Sequence, residues 1–90
     1  METEIETDID EMLESLRPLK LVLYNDDVNS FDHVIYCLCK YLKIDSVQAE
    51  QIALIVHTKG KCIIKEDDEK TLLPIRTALI DNQLNCEIEK

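Results

Sequence analysis

Asn25, Asp26 and Asp27 follow directly on the apolar run Leu21-Val22-Leu23-Tyr24, and His57 stands shortly before Gly60, the single glycine of the chain. Amide, carboxylate and neutral imidazole all offer lone pairs, so brought together they would receive a donor-rich cation. Taken separately, each has a plainer reading. An Asn-Asp-Asp run after a strand is common turn chemistry, because these side chains bond their own backbone. A histidine near the end of a helix suits the helix dipole. Two further pairings have chemically useful spacing. His33 and Cys37 lie four apart on a predicted helix and could face one metal ion. Cys39 would point elsewhere, however, and no CxxC pair completes a tetrahedral set, so packing and surface roles are expected, with no metal and no cofactor. Ser30 and His33 imitate a nucleophile and its base, but Ser30 is better explained as a helix cap. Cradling phosphates takes several glycines, which this chain lacks.

These residues need elements to position them. Leu19, Leu21 and Leu23 alternate with Lys20 and Val22, which predicts a strand ending near Tyr24. Ser30 then caps a helix, with Asp32 in its first turn and Phe31, Val34, Ile35, Leu38 and Leu42 on one apolar face. Ile44-Asp45-Ser46 breaks that helix and caps a second, in which Ala49, Ile52, Ala53 and Val56 recur at core spacing. Gly60 stops it, in a backbone conformation that other residues avoid. Cys62-Ile63-Ile64 reads as a short strand and Glu66-Asp67-Asp68 as a polar turn. A third helix follows from about Thr71 to Asp81, with Pro74 tolerable only in its first turn. Leu84, Cys86 and Ile88 alternate with polar residues in a last strand. The order β-α-α-β-α-β implies an α+β fold, a small, mainly antiparallel three-stranded sheet with three helices packed on one side.

Ninety residues make one domain, too small for a large catalytic cleft. Charge divides the chain. Seven of its 19 carboxylates precede Arg17, leaving 12 to face all 10 basic residues. Residues 1–18 therefore read as an acidic appendage and 19–90 as the folded core. In the appendage Ile5, Ile9, Met12, Leu13 and Leu16 fall at helical spacing, which fits either a flexible tail or a partner-binding helix. The net charge of −9 disfavours nucleic acid and anionic lipid. No apolar run approaches the roughly 18 residues that cross a bilayer, so no membrane association is expected. An acidic start is unlike a secretory signal. A cytoplasmic monomer with Cys37, Cys39, Cys62 and Cys86 as thiols is the expectation.

In the expected fold, the end of the first strand and the end of the second helix meet beside the apolar face shared by the first two helices. A wet rim of acceptors would then border an apolar hole. A free α-amino group suits that rim, because it is protonated near neutral pH and offers three N–H donors, while its own side chain seeks the hole.

The segments LKLVLYNDDVNSFDHVIYCL and AEQIALIVHTKGK closely resemble ClpS, the adaptor of the bacterial Clp protease. The match covers 19–61 and resumes at Leu84-Asn85-Cys86-Glu87-Ile88-Glu89. The resemblance implies an adaptor, not an enzyme, that grips substrate proteins by free destabilising N-terminal residues, commonly Leu, Phe, Tyr or Trp. It would hand them to an AAA+ unfoldase of the ClpA or ClpC type. Asn25 and His57 would bond the α-amino group and Asp26 would contribute through water. Asp27 would shape the loop. Phe31, Val34, Ala53, Val56 and Leu84 would line the side-chain pocket, and residues 1–18 would match the mobile extension that the unfoldase engages. Ala53 and Phe31 stand where many relatives carry methionine, which reshapes the pocket. The stretch between Lys61 and Leu84 is shorter than usual, so no docking residues are assigned. The alternative is a general interaction domain, related in fold to the C-terminal domain of the bacterial ribosomal stalk protein, without such a pocket.

Overall fold

The computed structural model describes Ile9, Met12, Leu13 and residues 17–90. Most of the expected appendage lies outside the described residues, including Ile5 and Leu16 of its apolar stripe; Ile9, Met12 and Leu13 are helical and exposed. The elements are β1 (Leu19–Tyr24), α1 (Phe31–Leu42), α2 (Ser46–Lys59), β2 (Lys61–Asp67), α3 (Glu69–Asp81) and β3 (Asn85–Glu89). The predicted order therefore holds. β1 is the middle strand, antiparallel to both β2 and β3.

Alternation in β1 sends Leu21 and Leu23 to one face, where they are almost wholly buried with Cys86 of β3. That face meets Cys37 and Leu38 of α1, Ala49 and Val56 of α2, and Leu72 and Leu79 of α3 in a single core. Leu84, just ahead of β3, closes it.

α1, α2 and α3 each begin at a side-chain cap. Ser30 accepts from the His33 N–H at 3.1 Å, Asp45 from Gln48 at 2.7 Å and Asp68 from Thr71 at 2.8 Å. Each bond satisfies a donor that the first helical turn leaves without a partner. α1 ends with Lys43 at φ 59°, a left-handed conformation that few side chains adopt. α2 ends at Gly60, whose φ of 91° is the conformation its glycine was expected to supply.

Two expectations are corrected in the second half. Glu66 and Asp67 belong to β2 and not to a turn, because Lys20 and Leu19 pair with them and draw the strand out to Asp67. The pairing shifts register between Leu21 and Val22, whose partners are Lys65 and Ile63, so Ile64 is the extra residue of a bulge. Asp68 then caps α3 two residues earlier than predicted, at Glu69. Pro74 consequently lies in the second turn, where it forfeits the hydrogen bond to the Lys70 carbonyl. Burial of Leu72 and Leu79, which flank it, holds the helix in place.

Candidate functional site

The end of β1 is fastened to the end of α2. The Asn25 N–H donates to the Gly60 carbonyl at 2.9 Å, and the Gly60 N–H donates to the Val56 carbonyl at 2.9 Å. Only a chain reversal at positive φ points both groups of Gly60 in these directions. The result sets Asn25 and His57 on one rim.

Below the rim lies a cavity of about 50 Å³. Its walls include Phe31 and Val34 from α1, Ala53, Val56 and His57 from α2, and Leu84 from the α3–β3 turn. Asn25, which is exposed, and the half-buried Asp26 also line it. Ala53, Val56 and Leu84 are at most 5% exposed, whereas Phe31 is 40% exposed. The Phe31 and His57 rings meet edge to face, with centroids 6.0 Å apart and planes at 76°. Such a pair holds the imidazole upright against the aromatic wall.

Every residue assigned from the sequence to amine binding or to the side-chain pocket lines this one cavity. Asp27, assigned to the loop, is exposed and outside the lining. The hydrogen bonds that shape the loop are made by Asp26. Its Oδ1 accepts from the backbone N–H groups of Val28 and Asn29, both at 3.0 Å. Asn29 Nδ2 donates to Oδ1 at 3.0 Å and Oδ2 at 2.9 Å.

Asn29, Leu23 and Tyr24 also line the cavity, and the sequence reading did not single them out. The Asp-x-x-Asn spacing from Asp26 to Asn29, typical of a side chain folding back on its own turn, was the available signal for Asn29. The Tyr24 hydroxyl donates to the Glu89 carboxylate, and this bond, with burial and the charge of Glu89 behind it, pushes the phenol pKa up.

The other constellations are placed plainly. Ser30 is engaged as the α1 cap. His33 Nε2 lies 2.9 Å from the Asn82 carbonyl and 3.6 Å from Cys37 Sγ. Among the described residues, no three His, Cys, Asp or Glu side chains form a metal-holding group. All four cysteines are free. No helix of the described residues is long and apolar enough to cross a membrane.

Acceptor side chains beside an apolar cavity give this small α+β domain a candidate recognition site. The chain belongs to the ClpS family: the model of the ATP-dependent Clp protease adaptor protein ClpS matches residues 14–78. The ClpS adapter protein of Hydrogenovibrio crunogenus is 32% identical over 91 residues, covering 87% of this chain and 88% of that protein. That of Shewanella pealeana is 37% identical over 59 residues, covering 66% of this chain and 58% of the relative. Agrobacterium tumefaciens ClpS2, solved bound to L-phenylalaninamide, superposes with a TM-score of 0.75 over 81% of this chain and 95% of that one. At 15% identity, that likeness is one of fold.

Proposed function

We propose that this adaptor captures proteins by a free N-terminal hydrophobic residue and delivers them to a Clp unfoldase of the ClpA or ClpC type. The observation that carries this reading is the shared cavity, with Asn25 and His57 on the rim and Phe31, Val34, Ala53, Val56 and Leu84 in the walls. The α-ammonium of the guest donates to Asn25 and His57, and reaches Asp26 through water. Each charge-assisted bond contributes about 1.5–3 kcal/mol, and burial of the first side chain adds about 1.5–3 kcal/mol. Together these support micromolar binding, about −8 kcal/mol, from a small footprint.

The cavity of about 50 Å³ is a third of the roughly 150 Å³ that holds a benzene ring. It receives a slender side chain as it stands. For a bulkier guest, Phe31, the most exposed of the apolar walls, is the one that yields. In this reading the protein acts as a cytoplasmic monomer without catalysis of its own. Residues 1–18 are the acidic extension that the unfoldase engages, and 19–90 form the recognition core.

Calorimetry with a short peptide bearing N-terminal Leu, against its acetylated twin, tests the reading. The free-amine peptide binds and the acetylated one does not; equal affinities reject amine capture.

A further inference from the structure

The turn between α3 and β3 presents two successive backbone carbonyls to side chains from across the fold. Asn29 Nδ2 donates to the Gln83 carbonyl at 2.8 Å. His33 Nε2 sits 2.9 Å from the Asn82 carbonyl, and because a carbonyl only accepts, that nitrogen carries the proton. The two donors stand four residues apart on either side of the Ser30 cap, so one short stretch grips both carbonyls.

Asn29 is fully committed by this geometry. One of its two amide protons is shared between the Asp26 oxygens and the other goes to Gln83. The turn itself is conformationally expensive, with Gln83 at φ 71°. Asn82 is further held by its own Nδ2, which donates to the Ala78 carbonyl at 2.8 Å and to the Tyr41 hydroxyl at 3.0 Å. The next residue along the chain is Leu84, 4% exposed and part of the cavity wall.

We propose that Asn29 and His33 are positioning residues which latch the Asn82–Gln83 turn, and thereby set how far Leu84 reaches into the cavity and which first side chain it accepts. The inference rests on the capture of N-terminal residues argued above. In a cavity of about 50 Å³ a small retreat of one leucine wall changes the free volume by a large fraction. Releasing the latch therefore changes selectivity among guests; loss of His33, which is outside the cavity lining, touches none of the amine-binding groups, whereas loss of Asn29 also frees Asp26 and weakens Leu and Phe peptides alike, which the ratio of the two cancels.

The experiment measures, by calorimetry, affinities for peptides that differ only in beginning with Leu or Phe, free or acetylated. The chains compared are the parent, Asn29→Ala, His33→Leu and His33→Gln, with thermal unfolding recorded for each. Asn29→Ala and His33→Leu should move the Phe-to-Leu affinity ratio towards Phe by about threefold to tenfold, the worth of one net hydrogen bond. His33→Gln should restore the parent ratio, because its amide nitrogen reaches the place of Nε2. Asn29→Ala carries the test alone should His33→Leu fail to fold. An unchanged ratio, with the parent still preferring the free amine, overturns the latch and spares the capture reading. A parent that ignores acetylation overturns both.

Discussion

Replacing Gly60 by alanine isolates a purely conformational term. No atom lies within 4 Å of where the new Cβ would stand, so there is no clash to relieve. What remains is the backbone itself, at φ 91° and ψ −21°. An L-residue in the left-handed region is strained by about 1–2 kcal/mol. Gly60 lies off the minimum near φ 57° and ψ 47°, which argues for the upper end. Alanine returns about 0.4–1 kcal/mol by restricting the unfolded chain. The net expectation is a loss of about 1–1.5 kcal/mol, read as a lower urea midpoint at constant slope. Asparagine, which visits this region more readily, should lose about half as much. The strain also reaches the site, because the Gly60 carbonyl holds the Asn25 N–H. Rotation that relieves φ draws that carbonyl away, so affinity for a free-amine peptide should fall along with stability. An alanine variant within about 0.3 kcal/mol of the parent, or one no worse than asparagine, would refute the reasoning.

Pro74→Ala should stabilise the protein by about 1–2 kcal/mol, since it restores the bond to the Lys70 carbonyl in an exposed part of α3; an unchanged or lower unfolding temperature would show that the helix has adapted to its proline. Asp68 is held below the usual aspartate range by the Thr71 hydroxyl and then the Thr71 N–H. A depressed folded value means that its stabilisation is present above the unfolded value and is lost as pH falls through the folded one, so Asp68→Asn should flatten the acid limb of a stability–pH curve. Burial pushes the Cys86 thiol up to about 11 and also raises Cys37. Iodoacetamide at about pH 8 should therefore reach the buried Cys37 and Cys86 only on unfolding, as peptide mass mapping would record.

The parts of the fold that were legible are those fixed by short-range rules. Alternation marked β1 and β3, the oxygens of Ser30 and Asp45 marked two helix starts, and a lone glycine marked the end of α2. Glu66-Asp67-Asp68 defeated the same rules, because three carboxylates in a row carry no local sign of which continues a strand and which caps a helix. Pairing with Leu19 and Lys20 decides it, and that information lies in another element. The site divides in the same way. Asn25 and His57 were legible because Asn25 follows the last residue of β1 and His57 lies in the last turn of α2, and both ends could be read. Asn29 was not, since its third partner is the Gln83 carbonyl, 54 residues further along the chain.

The cavity and the core are one construction. Leu23, Val56 and Leu84 belong to the buried cluster and also line the cavity. Filling a cavity of about 50 Å³ is worth at most about 1.2 kcal/mol at about 24 cal/mol per Å³, an upper bound because this cavity opens to solvent. A guest side chain recovers that term, so binding and stability should rise together, by about 2.7 kcal/mol when peptide is present at a hundred times its Kd. Ala53→Val separates the two. Its two added methyl groups occupy the cavity from within and recover up to about 1.2 kcal/mol, against about 0.5 kcal/mol of weaker helix propensity. The variant should therefore unfold at or slightly above the parent temperature while binding N-terminal Leu peptides at least tenfold more weakly. Undiminished affinity in so well folded a variant would mean that the guest's side chain is seated elsewhere.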